Sequence, residues 1–220
     1  MKYRALISSV KKYAATVYDG SYLDSIARPE WQSLPLLTNR QILDVVLGFL
    51  NSWQCRIPKT VKVATALSEA FRDTATLFQA LQGQRLENID LTALVEAGSE
   101  RLTGARAIAS VFDRLMAVGS RFSHVAAVKT MHMANAGLFV MWDNEILASH
   151  GHRQEPYGWF YAYRFLPTMQ AEAKELIEDY RKLNRASPEE AVRGIEKGCG
   201  GRKTLAKVLD EYNYIRRPRR

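Results

Sequence analysis

Apolar residues recur with the period of an α-helix along almost the whole chain, and no other feature limits the fold as strongly. Residues 38–41 read Thr-Asn-Arg-Gln, a capping box that starts a helix, and apolar residues follow it at helical spacing. Residues 187–190 form a second capping box, with Pro188 at the first helical position. Strand patterns are nearly absent. The sequence therefore predicts an all-α fold.

We expect about ten helices in one compact domain of one or two lobes, residues 1–220, with a basic tail at 215–220. The run 138–142 is the best strand candidate, but its five apolar residues fit a connector between helices equally well. Pro167 is expected to end the helix before it, because proline has no backbone N–H. The predicted helices cover about residues 2–17, 39–53, 61–81, 91–97, 123–136, 157–166, 169–183 and 203–214, with others around 108–116, from 143 and from 188.

The formal net charge of the chain is +8, and the excess of positive charge is concentrated at its C-terminal end. Residues 191–220 hold nine basic and three acidic side chains, a net charge of +6, and the last five residues read Arg-Arg-Pro-Arg-Arg. Such a block typically binds a polyanion, because each neutralised phosphate releases condensed counterions. The pattern favours DNA as a partner, and a solvated tail that aids solubility is the alternative.

The two cysteines, Cys55 and Cys199, lie far apart in the sequence, which excludes a cysteine-rich zinc site and a disulfide framework. His150 and His152 have no spaced acidic or cysteine partners, so we expect no metal site, and no motif predicts another cofactor. Residues 1–10 lack the apolar segment of a signal peptide, and no apolar run approaches about 18 residues. We expect an intracellular, cytoplasmic protein that does not enter a membrane.

Lys129 is the strongest candidate for chemistry, because the other residues of its predicted helix are mostly small or apolar. His132 follows three residues later, so the two side chains share a helix face. Desolvation lowers the pKa of a lysine amine, which makes the amine nucleophilic near neutral pH. The alternative is structural, with the lysine stem lying over the core or the amine paired with a buried carboxylate.

Asp143 follows the apolar run 138–142 and is expected to cap the next helix. Capping holds the carboxylate rigidly, and the N–H groups of the helix end favour its charged form. Capping alone would explain this residue. If Asp143 and Lys129 converge on one pocket, however, they place an amine beside an anion that can stabilise a cationic transition state.

The segment 128–146 resembles the catalytic segment of the helix-hairpin-helix DNA glycosylase superfamily. Among the branches of that superfamily, it is similar to the archaeal 8-oxoguanine DNA glycosylases. The matching residues read Val-Lys-Thr-Met-His at 128–132 and Phe-Val-Met-Trp-Asp-Asn-Glu-Ile at 139–146. As in that archaeal branch, the lysine lies in a helix without the usual glycine-rich hairpin sequence. The resemblance extends over about residues 38–150 and implies an all-α fold with two lobes.

The resemblance implies an enzyme that excises a damaged or modified base from a nucleotide flipped out of duplex DNA. It implies that Lys129 attacks the sugar C1′ and forms a Schiff base, which would also allow AP lyase activity. It further implies that Asp143 stabilises the oxocarbenium-like state and assists proton transfer.

Other side chains are expected to contact the substrate or the DNA backbone. In glycosylases, polar residues near the end of the helix at 39–53 probe or replace the flipped base, although a helix end with a buried tryptophan explains this cluster too. Trp142 stacks on a base, a contact worth roughly 1–3 kcal/mol, or packs in the core. The loop before the last helix ends in two basic residues suited to phosphate. The expected contact residues are Asn51, Trp53, Gln54, Arg56, His132, Trp142, Arg202, Lys203, Arg216 and Arg217.

Three functions are compatible with these patterns. The first is a DNA glycosylase with Lys129 and Asp143 as its catalytic residues. The second is a non-catalytic helical protein that binds nucleic acid through its basic C-terminus. The third is a helical interaction protein without a polyanionic partner.

Overall fold

Helices and one β-hairpin make up the fold of residues 1–216, the part of the chain that the computed structural model describes, without the side chain of Val17. The prediction of an all-α fold is confirmed. The α-helices are α1 (Tyr3–Ala14), α2 (Val17–Ile26), α3 (Asn39–Gln41), α4 (Leu47–Ser52), α5 (Val61–Asp73), α6 (Ala75–Ala80), α7 (Gly104–Met116), α8 (His124–Ala134), α9 (Asn144–Ser149), α10 (Tyr157–Phe160), α11 (Leu166–Asn184), α12 (Pro188–Gly198) and α13 (Leu205–Arg216). A 3₁₀ segment covers Pro29–Leu36.

The helix predicted from residue 39 is present and contains one wide turn. A π-helical turn, Ile42–Val46, joins α3 to α4. The capping box at its start is formed as predicted: Thr38 Oγ1 accepts from the backbone N–H of Gln41 (3.3 Å), and Gln41 Oε1 accepts from that of Thr38 (3.0 Å). The reciprocal bonds satisfy two N–H groups that a helix start otherwise leaves unpaired.

Pro167 does not end a helix, contrary to the prediction. A second π-helical turn, Tyr161–Phe165, joins α10 to α11, and Pro167 lies in the first turn of α11. A proline is tolerated in the first turn because its missing N–H has no helical partner there. The π-helical turn therefore places Pro167 in the first turn of α11, although α10, the π-helical turn and α11 follow one another without a break.

The short helix predicted at 91–97 is also absent, and the chain forms a β-hairpin there. Strand β1 (Leu94–Ala97) pairs antiparallel with β2 (Glu100–Thr103). Gly98 has a φ of 65°, which a two-residue hairpin turn requires. Asp90, just before the hairpin, accepts bonds from the N–H groups of Thr92 (2.9 Å) and Ala93 (3.2 Å), which form a local turn.

Two packing arrangements position the residues that matter for function. Helix α8 lies inside the molecule, and every residue from 126 to 133 is buried, so no side of this stretch faces solvent. The first and last helices, α1 and α13, pack against each other. None of the helices described is long and apolar enough to cross a membrane.

Candidate active site

A cavity of about 380 Å³ lies where α8, α9 and α13 approach the N-terminal helices and the loop after α4. Its size is in the range of small-molecule sites in proteins. Its aromatic lining residues are Tyr13, Tyr18, Trp53, Trp142 and Tyr214. Its charged lining residues are Lys129, Asp143, Glu145 and Asp210. Both residues predicted to be catalytic therefore line the same cavity.

Lys129 is the one lysine among the described residues that line the cavity, and only 8 % of its surface is exposed. Its Nζ donates to the backbone oxygen of Trp53 (3.1 Å), lies 3.8 Å from Cys55 Sγ and lies 5.1 Å from the centre of the Trp53 ring. Burial lowers the pKa of Lys129, although Cys55 and Asp210 oppose this shift. These surroundings favour the neutral, nucleophilic amine.

The end of α4 explains why a backbone oxygen is available to Lys129. Trp53 follows the last residue of α4, where carbonyl groups have no N–H partner further along the helix. Gln54 and Arg56 have φ values of 61° and 52°, and the chain turns away from the helix axis. Asn51 fixes this turn, because its side chain accepts from the Ile57 N–H (2.7 Å) and donates to the Ile57 oxygen (2.8 Å).

Asp143 caps α9 as the sequence predicts. Its Oδ1 accepts from the N–H groups of Glu145 (3.0 Å) and Ile146 (2.8 Å). The backbone of Asp143 is extended, with φ −118° and ψ −177°, so the carboxylate is held at the point where the connector 138–142 meets α9. Helix N–H groups favour its anionic form, and the half-buried side chain reaches the cavity.

Two indole N–H groups belong to residues of the cavity wall and have no hydrogen-bond partner in the described part of the chain. They are the Nε1 atoms of Trp53 and Trp142, whose side chains are 9 % and 1 % exposed. Buried donors are normally paired, and an unpaired one costs about 1–3 kcal/mol. Trp142 also packs edge-on against Tyr161 (5.0 Å) and Phe165 (4.9 Å), so its ring is part of the core as well.

His132 and Lys203 were expected to contact DNA, but both side chains are buried. His132 is fully buried, with Nδ1 2.5 Å from the Phe139 oxygen and Nε2 3.0 Å from the Tyr22 hydroxyl. Burial lowers the pKa of His132 to about 3, so the ring is neutral; Nδ1 donates to the carbonyl and Nε2 accepts from Tyr22. Lys203 is also buried and pairs with Asp19 and Glu211. Both side chains therefore make their contacts inside the fold.

The other expected contact residues are distributed around the molecule. Gln54 lines the cavity and donates to the Tyr18 hydroxyl (2.8 Å). Arg56 and Arg202 are exposed. Arg216, the last residue of α13, bonds to the Tyr212 hydroxyl and lies over its ring (5.0 Å). Arg217 lies outside the described residues.

Sequence reasoning missed the part of the cavity contributed by the first and last helices. Tyr13 from α1, Tyr18 from α2 and Asp210 and Tyr214 from α13 all line it. A usable signal was present, because polar residues at 203, 207, 210, 211 and 214 recur at helical spacing on one face of the helix predicted at 203–214. Of these residues only Lys203 was expected to contact DNA, and residues 203, 207, 210 and 211 are all buried.

Five charged residues form a buried network beneath this wall of the cavity. Lys207 is completely buried, and its Nζ lies 2.6 Å from Asp210 and 3.6 Å from Glu211. Lys203 lies 3.0 Å from Glu211 and also pairs with Asp19. Three acidic groups thus face two lysines, and the least solvated acid is Glu211, which is 0 % exposed. Burial raises the pKa of Glu211 to about 7.

The raised pKa of Glu211 predicts a specific pH dependence of stability. The folded protein binds the proton of Glu211 more tightly than the unfolded chain does, because the pKa of this residue in the unfolded chain is near the ordinary 4.5. The free energy of unfolding therefore decreases as the pH rises from about 4.5 to 7. We expect Glu211→Gln to match the wild type near pH 5 and to be more stable, by on the order of 3 kcal/mol, at pH 8. Urea unfolding at both pH values measures this.

Glu69→Gln is the matched control, because Glu69 is exposed on α5. That variant should follow the wild type at both pH values. Equal effects of Glu211→Gln at pH 5 and pH 8 would contradict the predicted ionisation.

Comparison of the chain with protein-family models, with curated proteins and with solved structures finds no match. The site is therefore interpreted from its own geometry. It combines a buried amine, carboxylates on two different helices and aromatic walls around one cavity. Such a set can form a covalent imine with an aldehyde or sugar carbon and can stabilise positive charge next to it.

Proposed function

We propose that the protein is a DNA glycosylase that excises a damaged or modified base and forms a Schiff base with the sugar through Lys129. The observation that carries this proposal is that Lys129 and Asp143, from two different helices, line one cavity large enough for a base. The segment that contains both residues is the one that resembles the catalytic segment of helix-hairpin-helix glycosylases.

Lys129 has the properties that a nucleophilic amine needs. Burial lowers the pKa of Lys129, which favours the neutral form of the amine that a nucleophile requires. Its lone pair forms a bond to C1′ as the glycosidic C1′–N bond breaks, and the base leaves with the electron pair and takes up a proton. Loss of a proton from the lysine nitrogen and cleavage of the C1′–O4′ bond, with proton transfer to O4′, then give the iminium.

Asp143 is suited to the charge that develops on the sugar. As the glycosidic bond lengthens, positive charge builds up at C1′ and O4′, and a fixed anion nearby lowers the energy of that state. The two capping bonds hold the Asp143 carboxylate rigidly, so little reorganisation is needed during the reaction. In this proposal, α8 supplies the nucleophile, and the N-cap of α9 supplies the stabilising anion.

The cavity walls fit a flat heteroaromatic ligand. Aromatic side chains from α1, α2, α13 and the loop after α4 can stack on a base, which is worth roughly 1–3 kcal/mol for each contact. The unpaired indole N–H groups of Trp53 and Trp142 are donors that ring nitrogens or carbonyl oxygens of a base would satisfy. Tyr214 lines the cavity two residues before Arg216, so the basic C-terminal segment starts next to it.

Borohydride trapping tests the proposal directly. The wild-type protein is incubated with duplexes that contain an abasic site, an oxidised purine or an alkylated base, and reduction should fix a covalent protein–DNA adduct on the abasic duplex. Base release is measured in parallel, because a monofunctional glycosylase leaves no adduct. Absence of both would overturn the proposal. If salt-sensitive binding that requires residues 216–220 persisted, the non-catalytic nucleic-acid-binding protein would replace it.

A further inference from the structure

Asp210 is a further carboxylate of the cavity wall, besides Asp143 and Glu145, and it has no role in the reaction steps proposed above. It lies on α13, is 5 % exposed and lines the same cavity as Lys129 and Asp143. A carboxylate at such a place must be compensated, because an unpaired buried charge is strongly destabilising. The compensating group and its surroundings indicate what Asp210 does.

Lys207 is the basic residue that pairs with Asp210. Its Nζ donates to Asp210 Oδ2 (2.6 Å) and also contacts the Tyr13 hydroxyl (3.2 Å). Three ring centres surround the ammonium group, those of Tyr13 (4.4 Å), Tyr22 (4.8 Å) and Trp53 (5.1 Å). Burial alone would lower the pKa of Lys207, but Asp210, Tyr13 and Glu211 outweigh it and raise the pKa, so Lys207 stays charged. The Asp210 carboxylate is therefore held in position by a charged partner.

Trp53 connects this pair to the nucleophile. Its ring lies 5.1 Å from Lys207 Nζ and 5.1 Å from Lys129 Nζ, and its backbone oxygen accepts a bond from Lys129. Lys129 and Lys207 thus contact the same indole, and Asp210 belongs both to the buried network and to the lining of the cavity. The negative charge of Asp210 raises the pKa of Lys129, whereas burial and the charge of Lys207 lower it.

We propose that Asp210 is a positioning residue of this site, whose carboxylate, fixed by Lys207, stabilises the positive charge that develops on the Lys129 nitrogen. This inference rests on the proposed function. The lysine nitrogen is cationic twice in the reaction, first as the ammonium formed on attack at C1′ and then as the iminium after the ring opens. Asp143 acts on the sugar cation and Asp210 on the nitrogen cation, so the two carboxylates have different tasks.

The first measurement needs no DNA. Reductive methylation with ¹³C-formaldehyde labels the lysines, the Lys129 signal is assigned by its absence in Lys129→Met, and its chemical shift is followed with pH. Asp210→Asn should lower the pKa of Lys129 by about half a unit or more, because a nearby anion is removed. Asp24→Asn, which makes the same change in net charge at an exposed position outside the cavity, should leave it unchanged.

The second measurement uses borohydride trapping on an abasic duplex across pH. Asp210→Asn should reduce the trapping rate at pH 7 roughly ten-fold and move its acidic limb to lower pH. Asp210→Glu should restore part of the rate, because it returns the charge. A purely structural role of Asp210 would change thermal stability without shifting the pH profile.

A double variant covers the case in which Asp210→Asn does not fold. Asp210→Asn with Lys207→Met removes both charges, and replacing a buried pair together is often tolerated. Lys129 should still titrate at lower pH than in the wild type, because Asp210 influences it more than Lys207 does. An unchanged Lys129 titration in a folded variant overturns the inference. Absence of both trapping and base release in the wild type overturns the proposed function instead, and the titration still decides the role of Asp210.

Discussion

Lys129→Met is expected to abolish the borohydride-trapped adduct and to lower cleavage at abasic sites by at least about a thousand-fold, because the reacting nitrogen is removed. Methionine keeps most of the volume of the side chain, so no large cavity forms in the buried helix α8. We expect no loss of stability, since a lysine that is 8 % exposed is costly to bury and its replacement is apolar. Loss of chemistry with unchanged or raised stability distinguishes a reactive lysine from a structural one.

Two further variants serve as controls for Lys129→Met. Lys129→Arg keeps a positive charge but cannot supply a neutral amine, so it should be as inactive as Lys129→Met. Lys62→Met changes an exposed lysine in the first turn of α5 and should leave trapping unchanged. An undiminished adduct in Lys129→Met would mean that another amine reacts, and the assignment of Lys129 would have to be abandoned.

The sequence predicted the part of the site that is local in the chain. Lys129 and Asp143 are separated by one helix end and a short connector, and an N-cap aspartate is recognised from its immediate neighbours. Burial of α8 followed from its small and apolar residues. The two residues line one cavity, and the connector 138–142 between α8 and α9 is short and buried.

The remainder of the site depends on contacts between distant parts of the chain. Tyr13 and Tyr214 stack edge-on (5.3 Å) because α1 packs on α13, and no periodicity relates positions 201 residues apart in sequence. Lys203 was expected at the surface because a glycine-rich loop precedes it. It is buried because Asp19 and Glu211 neutralise it, and only the assembled fold brings these acids to it.

Local rules failed where two of them competed. The pattern at 91–97 suits a helix, but Gly98 adopts the positive φ of a tight turn, and pairing of Ala97 with Glu100 fixes a hairpin. Pro167 was expected to end a helix, but the π-helical turn Tyr161–Phe165 places it at a position where its missing N–H is harmless. Both differences come from backbone geometry that residue propensities do not encode.

Asp143→Asn separates the charge of this residue from its capping role, because asparagine caps a helix about as well as aspartate does. We expect base release to fall by about 10²–10³-fold, since a neutral amide no longer stabilises the cationic sugar. Stability should stay within a few tenths of a kcal/mol of the wild type, whereas Asp143→Ala should lose about 1 kcal/mol as the bonds to Glu145 and Ile146 disappear.

The same variant also tests the division of labour between Asp143 and Lys129. On a duplex that already contains an abasic site, the glycosidic bond has been broken, so the main task of Asp143 is complete. Asp143→Asn should therefore form the borohydride adduct within about ten-fold of the wild-type rate, although its base release is strongly reduced. If base release and abasic-site trapping fell equally in Asp143→Asn, the carboxylate would act on the lysine and not on the sugar. If only Asp143→Ala were impaired, Asp143 would be a helix cap alone, and the stabilising anion of the site would have to be sought at Asp210.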